Sequence, residues 1–421
     1  MDRAIQHTKY LIAGSSHAAL EAINAIRMHD AEGSVTVVTR DAHLPYSPTV
    51  LPYVVSGKSA PERVFLRDED FFARNNVAYR RSTGLTALDA GTNVAQLTDG
   101  SRLRYERLLL ATGASPVIPP IPGIDTVDFH VLRTLDDATA LNAAIAQSKN
   151  AVVLGGGLVG MHAAENLVKA GAKVTIVEMG ATVLGGYFDA TASALIEAAF
   201  REAGATVLTG SRVVGLAKTA TGALVTLENG ATLDADLLLV ATGVRPDVGY
   251  LNGSPIEREQ GIVVDDQMRT SVPNVWAAGD CAQAKHFFAA DKQVNAILPS
   301  ATEQGRIAGM SMADDPGLKA YAGGVPLNTY HFFGRHAISV GSGDVPEGAE
   351  VVTHFDERRG RYLKVIFNDG RLHGIFSINQ FFDAGVMCQL ILRRIDLTPV
   401  RERFIDTPLA VGREIMSQTW R

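Results

Sequence analysis

The chain has 421 residues, which at ~150 residues per domain suggests about three domains, and carries 39 Lys and Arg against 45 Asp and Glu, a net charge of −6 with no basic block that would suit nucleic acid. Its two cysteines, Cys281 and Cys388, are too few and too far apart for a disulfide framework or a CxxC pair, so redox chemistry here requires a bound organic cofactor. The N-terminal stretch MDRAIQHTKYLIAG mixes both charge signs, unlike a signal peptide, and no apolar run reaches the ~18 residues of a membrane helix, so a cytoplasmic protein without a membrane span is expected.

Taken in chain order, the first pattern is LIAGSSHAALEA, residues 11–22. It reads as a strand, a turn at Gly14 and a helix, with Ser16 and Ala19 where a dinucleotide fingerprint has its second and third glycines. The next strand, Ser34 to Val38, ends at Thr39. Residues 109–113, LLATG, form an apolar strand closed by a small-residue turn at Thr112 and Gly113. A second copy of the opening pattern, AVVLGGGLVGMHAAENLVKAGAKVTIVE, occupies residues 151–178 and is intact. Here a buried strand, Val152 to Leu154, leads into Gly155, Gly157 and Gly160, a helix from Leu158, and a second strand, Lys173 to Val177, that ends at Glu178. Glycines at those places allow a tight turn and close approach of a pyrophosphate to a helix N-terminus, and a terminal acid can bind ribose hydroxyls. The first copy is then a drifted homologue of the second.

LVATG, residues 239–243, repeats the earlier strand and turn at Gly243 and continues as VRPD; NVWAAGDCA, residues 274–282, ends a strand at Gly279 and Asp280. ATEQGRIAGMSMA, residues 301–313, is helical, opened by Glu303, Gln304 and Gly305. YLKVIFNDGRLHGIFSI alternates around Asn-Asp-Gly and predicts a hairpin of Tyr362 to Ile366 with Leu372 to Ile378. Cys388 falls in an apolar helical run expected in the core, and the last 26 residues, DLTPVRERFIDTPLAVGREIMSQTWR, read as a docking tail. The histidines are scattered without HExxH or paired Cys/His spacing, so no metal site is expected.

In this order the motifs resemble, over roughly residues 9–320, the two-dinucleotide-binding flavoprotein family that includes ferredoxin reductases, NADH oxidases and coenzyme A disulfide reductases. The resemblance implies an α/β fold with two Rossmann-like domains, FAD-binding at 1–114 and 244–325 and NAD-binding at 115–243, followed by a C-terminal α+β interface domain at 326–421. It places Gly14, Ser16 and Ala19 at the FAD pyrophosphate, Thr39 (in place of an acid) at its adenosine ribose, and Gly279 and Asp280 at the ribityl chain. Thr112 and Gly113 would pack beside FAD, Gly155, Gly157, Gly160, Glu178 and Gly243 would serve NAD(H), and Glu303 and Gln304 would begin a helix aimed at the flavin pyrimidine. Singly, each residue also has a plain structural reading, Asp280 as a helix cap above all.

HLPYSPTVLPYVVSGK, residues 43–58, sets the subclass. In the thiol-dependent branch a redox cysteine lies just before a similar LPY, and here that place is held by Thr49; Pro48, Thr49 and Tyr53 are candidate walls of the flavin pocket, with core packing the competing reading. His162 stands where the family often has a glutamate near the nicotinamide, with helix packing equally open. Cys281, after Gly279 and Asp280, reads as an inert buried thiol. With neither a redox thiol nor an HxxxxE acid–base pair, and no set of four cysteines for a cluster of its own, the resemblance implies an NAD(H):acceptor oxidoreductase. It would exchange hydride between NAD(H) and FAD, and single electrons with an iron-sulfur partner. YSPTVLPYVVSGK together with GGGLVGMHAAE is similar to the FAD subunit of 2-oxoacid:acceptor complexes of the phenylglyoxylate dehydrogenase type, implying a hetero-oligomer that reduces NAD⁺. A stand-alone ferredoxin-type reductase and a non-catalytic flavin/NADH sensor stay open beside it. No Arg or Lys follows Glu178 in MGATVLGGY, so NADH is expected over NADPH.

Overall fold

The computed structural model describes residues 5–419; residues 1–4, 420 and 421, and with them the outer ends of the first and last expected segments, lie outside the described residues. Two units make up the chain. The first comprises residues 1–50, 59–115 and 244–324, the second residues 51–58, 116–243 and 325–421.

The first unit is built on a sheet whose parallel part contains β1 (Gln6–Ala13), β2 (Val35–Val38) and β3 (Val77–Arg80). Two further strands, β4 (Leu85–Asp89) and β5 (Val94–Leu97), lie antiparallel and join through β6 (Arg102–Leu110), giving the order β3-β2-β1-β6-β5-β4. The strand Val275–Ala277 adds parallel to β6. Tyr10 to Ala13 and Leu108 to Leu110 are fully buried, as expected of strands covered on both faces. Helix α1 (His17–His29) returns the chain from β1 to β2 and buries Ala18, Ala19, Leu20, Ala22, Ile23 and Ile26. Its end is tied down by Arg27, whose guanidinium donates to the carbonyls of Asp30, Gly33 and Asn75.

A long helix, Leu298–Met312, lies against α1. Here the structure corrects the sequence reading: the helix begins at Leu298, not at Glu303, with Pro299 in its first turn, where a missing N–H costs nothing. Glu303 and Gln304 therefore sit in the second turn. The two helices approach at backbone distance, since a Cβ on Gly305 would lie 2.2 Å from Ala18 O and one on Gly309 2.5 Å from Ala22 O.

The second unit holds a four-stranded parallel sheet in the order Thr206–Leu208, Lys173–Val177, Asn150–Leu154 and Leu237–Val240. A three-stranded antiparallel sheet spans Val213–Lys218, Ala223–Leu227 and Thr232–Ala235. Its C-terminal part is a five-stranded antiparallel sheet that contains the expected hairpin, with strands Arg361–Asn368 and Arg371–Ile378. The two loop residues, Asp369 (φ 50°) and Gly370 (φ 70°), both take the left-handed conformation that a two-residue hairpin loop demands. The C-terminal stretch is not a free docking tail. It folds as helices Arg401–Asp406 and Pro408–Thr419, and its apolar anchors Phe404, Val411 and Met416 are buried in the chain's own core. Cys388, on the helix Ala384–Leu392, is half-buried rather than fully in the core.

The α1 contact generates a prediction. Gly305→Ala should force the two helices apart and lower the stability of the first unit by about 1–3 kcal/mol, the usual cost of overpacking. Trp276, whose indole N–H donates to Ser311 Oγ on the long helix at 2.9 Å, is the natural reporter; its fluorescence in a Trp420→Phe background should show an earlier urea transition.

Candidate functional site

In the first unit the turn after β1 is held open by geometry. Gly14 has φ +115°, and a Cβ there would lie 2.0 Å from Ala111 O, in the turn that follows β6. The neighbouring strand β6 runs parallel to β1, so the carboxyl ends of both face one crevice, the place where doubly wound sheets bind nucleotides. Ser16 is the N-cap residue of α1, but its hydroxyl leaves the helix amides alone and reaches Tyr46 O at 3.4 Å. Ala19 is buried under the turn. Gly279 (φ +79°) brings the second loop to this site, and its N–H donates to the buried Gln304 Oε1 at 2.8 Å. Gln304 is thus a brace for the turn carrying Asp280. Thr112 Oγ1 donates to Asp247 O at 2.8 Å and pairs with Tyr250 Oη at 3.0 Å, fixing the start of the crossover at Gly113 (φ +71°). Cys281 is fully buried, its thiol donating to Leu110 O at 3.3 Å, and burial pushes its pKa up.

Not every expected residue converges there. Thr39 is buried and its Oγ1 accepts from the amide of Asp41 at 3.3 Å, serving its own loop. Glu303 is exposed and paired with Arg306 at 2.7 Å. Pro48 and Thr49 belong to a short 3-10 turn, Pro48–Val50, that leads into the helix Leu51–Val55. Tyr53, on the following helix, is exposed, whereas Thr49, though also exposed, is tied back to the helix that opens after Ser16. Two side chains that no spacing rule marks lie next to Thr49: Ser47 Oγ is 2.8 Å from Thr49 Oγ1, and His17 Nε2 is 2.9 Å from Ser47 Oγ.

The second unit repeats the device with its full set of glycines. Gly155 has φ +106°, and a Cβ on it would lie 2.4 Å from Ala241 O; one on Gly160 would lie 2.0 Å from Gly155 O. Gly157 is the N-cap residue of the helix Leu158–Lys169, and a Cβ there would meet nothing within 4 Å. A tight turn, an open approach to a helix N-terminus and close helix packing are the three tasks of the fingerprint glycines. Glu178 turns its carboxylate onto this loop, where Oε2 accepts the N–H of Gly156 at 2.6 Å and Oε1 that of Gly180. Gly243 (φ +113°) is exposed and its carbonyl accepts from the Val117 amide at 2.9 Å. His162 packs edge-on against Tyr330, ring centroids 4.7 Å apart, and burial drives its pKa down to about 4, with His331 and Lys169 adding and Glu165 opposing. The ring is therefore neutral at pH 7. Next to it the buried Glu165 is paired with Lys169 and accepts the Phe333 N–H at 2.7 Å.

The second turn leaves open space at Gly157 in front of a helix N-terminus, and the first repeats the same tight turn at Gly14 with Ser16 before its helix, an arrangement that fits two dinucleotides. The profile of the pyridine nucleotide-disulphide oxidoreductases matches residues 8–305. The chain belongs to this family. It is 74% identical to the NADH-dependent phenylglyoxylate dehydrogenase subunit epsilon of Aromatoleum evansii, with the whole of both chains covered. Putidaredoxin reductase of Pseudomonas putida is 32% identical over 70% of this chain and 72% of that one. Among solved structures, the covalent putidaredoxin reductase–putidaredoxin complex matches with a TM-score of 0.84 and 26% identity over 92% of this chain and 94% of the other. The chain is an oxidoreductase whose cofactors are FAD and NAD(H). Among the described residues no group of His, Cys, Asp and Glu could hold a metal ion, and no helix is long and apolar enough to cross a membrane.

Gly160→Val places two methyl groups where the Gly155 carbonyl already sits. NADH titration should show its Kd raised by about tenfold or more, equivalent to ~1.4 kcal/mol, with bound FAD unchanged in the visible spectrum.

Proposed function

We propose that this chain is the NAD⁺-reducing flavoprotein subunit of a 2-oxoacid dehydrogenase complex acting on phenylglyoxylate, passing to NAD⁺ the electrons it receives one at a time from an iron-sulfur subunit. Bound FAD supplies the exchange between a hydride at nicotinamide and single electrons at a metal cluster. The protein's part is binding, orientation and exclusion of competing chemistry. Gly14 and Ser16 admit the FAD pyrophosphate to the α1 N-terminus, Ala19 packs beneath, and Gln304 holds the turn from which Asp280 reaches the ribityl region. Gly155, Gly157 and Gly160 do the same for NAD, and Glu178, anchored by two amides, still has lone pairs for the adenosine ribose hydroxyls.

The observation that carries this function is the thiol inventory. Thr49 occupies the place of the redox cysteine, Cys281 is fully buried, and Cys388 is pushed up to about 11 by burial, so no thiolate is available at neutral pH to take electrons from the flavin. The end-to-end similarity to a subunit epsilon then supports a one-electron partner on another chain. A complex that draws on the NAD pool belongs in the cytoplasm. A stand-alone reductase of an iron-sulfur protein is the second reading, favoured by the likeness to putidaredoxin reductase. A sensor that binds without turnover would show no sustained electron transfer from NADH to a dye.

Purifying the tagged chain from its native cell decides between the first two readings. Co-elution with iron-sulfur and oxoacid-oxidising subunits, and reduction of NAD⁺ on adding phenylglyoxylate and coenzyme A, is the expected result; a chain that elutes alone and reduces only a ferredoxin overturns the first. Thiol-blocking reagents should leave NADH-to-dye activity within about twofold of the untreated protein, because neither thiol is an accessible thiolate. The Glu178 carboxylate repels a 2′-phosphate, so kcat/KM should favour NADH over NADPH, and Glu178→Ala should narrow the gap chiefly by raising KM for NADH. Equal kcat/KM for the two coenzymes in the unmodified protein would remove Glu178 from the ribose.

A further inference from the structure

Three side chains that neither fingerprint uses are joined by two hydrogen bonds. His17 opens α1 directly after Ser16, its Nε2 lies 2.9 Å from Ser47 Oγ, and Ser47 Oγ lies 2.8 Å from Thr49 Oγ1. His17 is half-buried, Ser47 is buried and Thr49 is exposed, so the chain runs from a half-open imidazole through an enclosed hydroxyl to an open one. Neither contact has a fixed donor. An imidazole carries one donor and one acceptor nitrogen and a hydroxyl is both, so each member can release one proton while taking another.

The surroundings of His17 place this chain at the first glycine turn. The charged groups that face the imidazole are Glu21, on its own helix, Arg67, and Asp280, which follows Gly279. Burial, reinforced by Arg67, holds the imidazole below its ordinary pKa, while Glu21 and Asp280 oppose the shift. The ring is neutral at pH 7 and available as an acceptor.

The proposed function creates a demand for protons. Reduction of NAD⁺ to NADH consumes two electrons and one proton, and an iron-sulfur donor delivers electrons without protons, so one proton per turnover must enter from solvent. We propose that His17, Ser47 and Thr49 form a proton relay between solvent and the flavin, a role that rests on the electron-transfer function above. Inward, Thr49 gives its hydroxyl proton toward the flavin as the electrons arrive, Ser47 replaces that proton, the Nε2 proton of His17 replaces the proton of Ser47, and solvent protonates Nδ1, so the ring stays neutral. Outward, every transfer reverses, and exchange of the ring proton with water restores the starting tautomer after each cycle. A hydroxyl at position 49 suits this task, since it moves protons without being a second oxidisable centre as a thiol would be.

The test separates two ways of reducing the flavin in the holoprotein. A hydride from NADH brings its own hydrogen, whereas reduced methyl viologen delivers electrons singly and leaves the proton to the protein. In Ser47→Ala, stopped-flow absorbance should show viologen-driven reduction slowed by about tenfold or more, within the range of lost proton-transfer catalysis. The rate should recover in Ser47→Thr and on adding imidazole buffer, while NADH-driven reduction keeps its rate. In the flavin-free full chain, the ¹⁵N resonance of His17 Nε2 should move in Ser47→Ala and return in Ser47→Thr. An unchanged viologen rate, equal slowing of both reductions, or indifference to imidazole and to the restored hydroxyl overturns the relay. A protein that binds no FAD or takes no electrons from NADH instead overturns the function beneath it, so the two failures are distinct.

Discussion

The structure depends on two places where a backbone carbonyl occupies the space of a missing side chain. Ala111 O sits 2.0 Å from the ideal Cβ position of Gly14, and Ala241 O sits 2.4 Å from that of Gly155. The two alanines belong to the twin sequences LLATG and LVATG, so each fingerprint glycine docks on its own Ala-Thr-Gly turn. At positive φ and against a carbonyl, neither glycine has a substitute. Each contact joins the carboxyl ends of two neighbouring parallel strands, β1 with β6 in one unit and Asn150–Leu154 with Leu237–Val240 in the other, and so shapes a crevice of the kind in which doubly wound sheets bind nucleotides.

The two copies diverge where that constraint relaxes. In the second, Gly160 is required because the helix lies against Gly155 O; in the first, Ala19 at the equivalent place is accommodated as a buried side chain. Glycine has instead moved to the partner helix, where Gly305 and Gly309 let it settle on Ala18 and Ala22. Polar anchoring differs as well. Glu178 holds the second loop by accepting from Gly156, whereas Thr39 at the end of β2 turns into its own loop and Arg40 is paired with Asp247.

Much of this was legible in the sequence because it depends on local periodicity and on glycine. The strand Lys173–Val177 and the helix starting at Leu158 fall where the apolar pattern puts them, and the Asp-Gly loop announced its hairpin. The misplaced start of the long helix had a local cause: the stretch read as helical began at Ala301, just after Pro299, a residue that a helix accepts only in its first turn. The C-terminal segment misled because amphipathic spacing looks the same whether the apolar face meets a partner or the chain's own sheet and helices. Side-chain convergence was illegible altogether. His17, Ser47 and Thr49 share no spacing rule, since one stands on a helix and the others in a loop 30 residues away, and Gln304 reaches Gly279 only because α1 and the long helix pack closely.

The division of the chain into units has a consequence during synthesis. The first unit includes residues 1–50 and 59–115 but also 244–324, which supply the strand beside β6 and the helix that covers α1. Residues 116–243 are made in between, a delay on the order of ten seconds at ordinary translation rates. Throughout that interval the face of α1 that will hold Gly305 and Gly309 has no native cover, and β6 lacks its outer neighbour. The nascent first unit therefore waits as an open sheet while the second glycine turn is synthesised, with the surface that the long helix will cover exposed to other chains in the meantime.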